Sequence, residues 1–190
     1  MEKPLLPTLQ PKNIAVLRAL QLGDMLCAVP ALRALRAACP DARVTLIGLP
    51  WAKALVARYP HYLDDFIALP GFPGMPEQAQ DAAAFPGFIS AVRARKFDLA
   101  IQLHGDGRIT NGVVRKFGAD RNAGFEVAPA SGEPGFLPYP EHGSEIHRLL
   151  ALTGFLGARP QGAHLEFPLD ARDENELRNS GVAPGLTPGN

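Results

Sequence analysis

At 190 residues, with 46% hydrophobic and 20% charged side chains, the chain suits one substantial globular core, or one domain and a tail. It has no run of about eighteen apolar residues, and its opening "MEKPLLPTLQPKN" lacks the apolar stretch of a secretory leader, so neither a spanning helix nor export is expected. The formal charge is zero but uneven: Met1–Gly124 carries fifteen Lys/Arg against ten Asp/Glu, and Phe125–Asn190 four against nine.

The basic front part suits an anionic small molecule or lipid surface; scattered solubilising arginines explain it equally well. Without a basic run or a basic–aromatic stripe, nucleic acid is not expected as a partner. Cys27 and Cys39 fall along one expected helix, about 18 Å apart at the helical rise, which excludes a bridge between them.

Residues 1–12 read as a flexible lead-in. "NIAVLRA" (Asn13–Ala19) is an apolar run of strand formers, and Asp24–Cys39 follows as a helix with Leu26, Val29, Leu32 and Leu35 at three-residue steps. Pro30 falls inside that helix and predicts a kink, or a new helix start. "ARVTLIG" (Ala42–Gly48) is a second strand, "WAKALVARYP" a second helix and "DDFIALP" a short third strand. A Pro/Gly-punctuated excursion runs from Pro70 to Gly87 before a helix ending near Lys96. "FDLAIQLHG" (Phe97–Gly105) is a further strand, followed by a helix through Lys116 and a short strand near "DRNAGF".

Ala128–Gly143 reads as a long loop, leading to a helix with Ser144 as its N-cap. "DARDENELRNSG" is a polar helix, and the chain then ends in turn residues, as if within a connection. Strands alternating with helices at this spacing specify βαβ units with right-handed crossovers. The expected fold is therefore a Rossmann-like α/β domain over residues 13–170, its mainly parallel sheet covered by helices on both faces.

Ligands of such sheets bind outside the carboxyl ends of the strands. Strand one points at "LQLGD", which brings Asp24 to that edge. An aspartate there caps the helix, contributing about 0.5–2 kcal/mol, or serves as a general base held ionised by the helix N-terminus; the two roles are compatible. "LHGDGR" adds His104, Asp106 and Arg108 to the same edge. No G-x-G-x-x-G or G-x-x-x-x-G-K-[ST] follows strand one, which argues against a dehydrogenase or a P-loop NTPase. In "HGSEIH" only His142 and Glu145 share a helical face, so no metal is expected.

"LGDMLCAVPALRALRAACPDARVTLIG" resembles the opening of glycosyltransferase family 9, the ADP-heptose:lipopolysaccharide heptosyltransferases. "FDLAIQLHGDGR", "GADRNAGF" and the leucine helix ending in "LGA" are similar to that family's N-terminal domain. The resemblance extends from about Asn13 to Glu176. It implies the first half of a two-domain GT-B architecture, in which this half holds the acceptor and the other binds the ADP-heptose donor. Asp24 falls at the family's general base for inverting transfer to a hydroxyl of the lipopolysaccharide inner core, and Arg18 at its basic residue in strand one. Gln21, Gly23, His104, Arg108 and Arg121 fall in segments that shape the acceptor site. The resemblance further implies no cofactor or metal on this half, and a bacterial, cytoplasmic enzyme, peripheral at the inner face of the cytoplasmic membrane. It makes residues 171–190 a truncated linker toward a missing donor-binding domain, without which the chain is expected to be inactive alone. The rival reading is a glycolipid- or saccharide-binding module without turnover.

Overall fold

The computed structural model describes residues 4–127 and 132–182. Its centre is β1 (Asn13–Leu17), whose residues from Ile14 to Leu17 are wholly excluded from solvent. A strand apolar on both faces belongs in the middle of a parallel sheet covered by helices. The remaining strands are β2 (Arg43–Gly48), β3 (Asp65–Ala68), β4 (Leu99–Gln102), β5 (Arg121–Glu126) and β6 (Phe136–Pro138). They form one six-stranded sheet in the order β3-β2-β1-β4-β5-β6. Every pairing is parallel, Asn13 standing opposite Arg43 on one side and Ile14 opposite Leu99 on the other.

Seven helices accompany the strands among the described residues: α1 (Leu5–Leu9), α2 (Leu22–Ala38), α3 (Ala52–Arg58), α4 (Phe85–Ala94), α5 (Thr110–Arg115), α6 (Glu145–Leu156) and α7 (Ala171–Ser180). Alternate residues of each strand feed two cores. Ile14, Val16, Val44, Leu46, Leu99 and Ile101 pack with α1, α2, α3 and α6. Ala15, Leu17, Ile47 and Ala100 pack with Phe88 and Val92 of α4 and Val113 and Val114 of α5. The α/β architecture with helices on both faces is the one the sequence predicts.

Several boundaries differ from the sequence reading. The expected lead-in contains α1, which buries Leu6. Pro7 falls in the first turn, where a backbone N–H has no intrahelical acceptor, so the proline does not obstruct the helix. Helix α2 runs unbroken through Pro30, whose ring is buried; packing against the sheet and α6 outweighs the lost hydrogen bond. The expected loop Ala128–Gly143 contains β6, paired with Gly124–Glu126; residues 128–131 of that loop lie outside the described residues.

Helix α7 buries no side chain. A capping box closes its start, Asp170 accepting from Arg172 and Asp173 amides while Asp173 accepts from the Asp170 amide. Arg58, at the end of α3, ties it down: the guanidinium donates to both carboxylate oxygens of Asp173 and to the Pro168 carbonyl, and lies 4.8 Å from the Phe167 ring centroid. Arg58 holds the Asp173 carboxyl well below the ordinary aspartate range. Arg58→Ala should therefore free α7 alone. Amide exchange across 171–180 should rise towards that of an unprotected peptide while the melting temperature of the domain stays unchanged; retained protection there would show another anchor.

Candidate functional site

The strand order reverses between β1 and β4: the chain leaves β1 towards β2 and β3, then returns to the other side of β1 to form β4. In open α/β sheets the crevice outside the carboxyl ends at such a reversal is the ligand site. Two segments line it here, Arg18–Asp24 after β1 and Leu103–Thr110 after β4.

Arg18 continues β1, its amide bonding to the Ile47 carbonyl at 3.0 Å, and is fully buried. All five of its guanidinium N–H donors are engaged. Nε and Nη2 donate to the Asp24 carbonyl at 2.9 and 2.6 Å, Nη1 donates to the Leu103 carbonyl, and Nη1 and Nη2 each reach Glu145 Oε1 at 3.2 Å. Burial pushes the guanidinium pKa down and the Glu145 carboxylate opposes that shift. Glu145 is held in turn by Arg148, 2.7 Å from its other oxygen. Arg18 therefore joins the first turn of α2, the end of β4 and the first turn of α6, and has no donor left for a ligand. Expected among the acceptor-binding residues, it is placed here as a buried link between these segments.

Asp24 is not the cap of α2. That position belongs to Gln21, which is exposed and makes no side-chain capping bond; Asp24 falls in the first turn, after Leu22 and Gly23. Its backbone carbonyl is clamped by Arg18, but its half-buried carboxylate makes no hydrogen bond or ion pair among the described residues. It lies within electrostatic reach of Arg18 and His104.

The turn after β4 is built on Gln102. Its buried amide donates to the His104 and Gly105 carbonyls and to Thr110 Oγ1, and its oxygen accepts from the Phe125 amide at 3.0 Å. Thr110 donates to the His104 carbonyl at 2.9 Å. Gly107 takes φ +87°, and a Cβ there would stand 2.2 Å from the Phe125 carbonyl oxygen. Only glycine fits both the dihedral and the space.

This scaffold buries His104. Its Nδ1 accepts from the Ala19 amide at 3.2 Å, so Nε2 carries the proton in the neutral ring. Nε2 faces Glu77 Oε1 at 3.7 Å, too far for a direct hydrogen bond. Arg108 is exposed on the same edge, paired with Asp106 at 3.2 Å. Arg121 is not on it. As the first residue of β5, opposite Leu99 at the start of β4, it occupies the amino edge of the parallel sheet, away from the other candidate residues.

The larger hollow of the domain, about 530 Å³, also lies at the amino edge, between α1, the end of α2 and residues Gly157–Gln161. Its one thiol, Cys39, is buried and pushed up by that burial, which leaves it unreactive. A smaller pocket of about 180 Å³ opens beside His104, walled by Gly74–Pro76 and His104–Thr110. His104 and Arg108 line this second pocket, and none of the candidate residues lines the first.

Solved structures with this arrangement include a glycosyl transferase family 9 protein from Veillonella parvula, with TM-score 0.67 and 19% identity over 94% of this chain and 51% of that one. The chain shares the fold of a family 9 glycosyltransferase. The Escherichia coli heptosyltransferase WaaC with ADP follows, with TM-score 0.61 and 16% identity over 88% of this chain and 53% of that one. The same enzyme with ADP-2-deoxy-2-fluoro heptose gives TM-score 0.57 and 15% identity over 79% and 50%. The chain thus spans about half the length of the structures it matches. No protein-family model matches the sequence, and neither does any curated protein.

Sequence reading singled out Asp24 and His104 but missed Glu77, Gln102 and Glu145. Arg18 carried the signal for Glu145: a guanidinium within an apolar strand requires a buried acceptor. Gln102, interrupting "LAIQLHG", carried the equivalent signal for a scaffolded turn.

Two outcomes are expected. Gly107→Ala should destabilise by about 1–3 kcal/mol or more from backbone strain and the clash, whereas Gly23→Ala, with open space around its Cβ, should change stability by less than about 1 kcal/mol; thermal unfolding of the pair checks both. The second concerns His104. Burial lowers its pKa, Glu77 opposes this, Arg18 adds to it, and Asp24 and Glu145 oppose it. The unfolded chain then takes up a proton first, so this contribution is intact above about pH 6.5 and fades as pH falls below it. In His104→Asn, whose Oδ1 still accepts from the Ala19 amide, the fall in melting temperature between pH 7.5 and 5.5 should be smaller than in the wild type.

Proposed function

We propose that the chain is the N-terminal, acceptor-binding domain of an inverting heptosyltransferase-like glycosyltransferase, with Asp24 as general base. The observation that carries this reading is the unpartnered carboxylate of Asp24. Its backbone is fixed by Arg18 at the strand-order reversal, while its oxygens remain open to a hydroxyl. The shared fold with family 9 supports the reaction class.

In this mechanism Asp24 removes the proton from an acceptor hydroxyl as that oxygen attacks the anomeric carbon of the donor sugar. The bond from that carbon to the diphosphate oxygen breaks on the opposite face, so configuration inverts and ADP leaves with the electron pair. The logic parallels inverting hydrolysis, in which a carboxylate activates the attacking oxygen. The sugar is proposed as heptose from ADP-heptose, the acceptor as a lipopolysaccharide inner-core hydroxyl, and the donor-binding half as the part of the solved structures that these 190 residues do not match, so these residues by themselves would not turn over. Arg108 is the cation on this edge placed to meet an anionic group of the acceptor. No helix among the described residues is long and apolar enough to cross a membrane. Exposed Leu22, Trp51 and Ile109 follow β1, β2 and β4 on this same edge, which supports peripheral contact with the cytoplasmic leaflet that carries the acceptor lipid. The half-length match also favours a second reading, a saccharide-binding module without turnover.

The test separates them. Because the Asp24 carboxylate caps nothing, Asp24→Asn and Asp24→Ala should each change stability by no more than about 1 kcal/mol, through the helix dipole and the through-space attraction to Arg18. In the protein completed with its donor half, Asp24→Asn should lower sugar transfer by about 10²–10⁴ while acceptor binding persists. Near-normal transfer by the variant would remove Asp24 from the mechanism, and no transfer by the completed wild type would leave the binding module.

A further inference from the structure

Glu77 belongs to none of the segments that suggested the site, yet the structure brings it there. It lies in the irregular stretch between β3 and α4, anchored by buried Leu69 and Met75 and by the Phe72–Phe85 ring contact at 5.4 Å. Its carboxylate side chain is 16% exposed, and Oε2 is buried without a hydrogen-bond partner. Oε1 faces His104 Nε2 across 3.7 Å.

His104 is the second, independent observation. Its side chain is more than nine-tenths buried, its Nδ1 is committed to the Ala19 amide, and its Nε2–H has no hydrogen-bond partner among the described residues. The ring also lines the pocket walled by Gly74–Pro76 and Gly105–Thr110, and Glu77 is the residue after that wall. A donor and a charged acceptor thus stand side by side at the pocket, slightly too far apart to satisfy each other. A group that accepts and donates at once completes both bonds, and a hydroxyl does this. A phosphate or carboxylate could accept from Nε2–H but would meet the Glu77 charge at close range.

We propose that Glu77 and His104 together hold one hydroxyl of an uncharged, hydroxyl-rich part of the acceptor, in the pocket between Gly74–Pro76 and the turn after β4. The hydroxyl oxygen accepts from His104 Nε2–H, and its proton is donated to Glu77 Oε1. This rests on the acceptor-site reading above and deepens it. The subsite beside Asp24 selects a neutral polyol face, and the anionic groups of the acceptor lie outside it, towards Arg108.

The experiment is an amide-resolved NMR titration of this 190-residue chain with two probes, a neutral methyl heptoside and the same sugar carrying a phosphate. The neutral sugar should shift the Gly74–Glu77 and His104–Thr110 amides with a Kd at least fivefold lower than that of the phosphorylated one. Glu77→Gln, nearly isosteric, should weaken the neutral sugar at least fivefold and narrow the gap between the probes, with an otherwise unchanged spectrum. Neutral binding at these amides that Glu77→Gln leaves intact overturns the inference and leaves the acceptor site standing. A preference for the phosphorylated sugar does the same. Binding of neither probe overturns the inference and the acceptor-site reading together.

Discussion

A single guanidinium governs the carboxyl edge of this sheet. Arg18 is fully buried at the end of the central strand, and its charge has to be compensated there or the strand could not end in that place. The compensation comes from three separate parts of the chain: the Asp24 carbonyl, the Leu103 carbonyl and the Glu145 carboxylate. Removing one partner of a buried pair leaves the other uncompensated, at a cost of about 3–5 kcal/mol. The positions of the α2 entry, the β4 exit and the α6 entry are therefore coupled. Asp24 has a defined place because its own backbone is one arm of that coupling, which leaves its side chain uncommitted.

The same constraint redistributes the charge of the site. The basic front part of the sequence suggests an electropositive pocket, but apart from Arg108 at the rim several of its arginines are engaged elsewhere. Arg18 is consumed by the scaffold, Arg36 and Arg43 pair with Asp64 and Asp65, and Arg58 holds α7. Asp24 and Glu77 remain at the crevice beside a His104 that burial keeps towards its neutral form. Net charge counted along a chain is thus a poor guide to the sign of a particular cleft.

What the sequence made legible followed from short-range periodicity. The βαβ alternation, the buried central strand and the location of "LQLGD" and "LHGDGR" on one edge each depend on residues close together in the chain. The parts it left hidden depend on distant partners. Glu77 reaches His104 across 27 positions and Glu145 reaches Arg18 across 127, and no local pattern encodes either meeting. Strand β6 escaped because three residues beside β5 need only an edge to pair with. Helix α1 escaped because its prolines suggest a loop, and only the buried Leu6 reveals why it is ordered. The edge that Arg121 occupies was hidden for a related reason: a residue near a strand can be at either edge, and only the register with Leu99 shows which.

The polar groups at this edge fall into two sets, and the division itself carries information. Arg18, Gln102 and Thr110 are buried and bonded, mostly to backbone carbonyls and amides of turns that would otherwise wander, with Glu145 completing Arg18. Such satisfied networks fix geometry and are costly to disturb. Asp24, Glu77 and the outer nitrogen of His104 are held at least partly out of water with hydrogen-bonding capacity unfilled. Folding alone does not favour that condition, since a desolvated polar group without a partner costs about 1–3 kcal/mol. A scaffold that saturates one set while leaving the adjoining set open keeps unfilled donors and acceptors in this crevice, and hydroxyls, which donate and accept at once, have the chemistry to complete them.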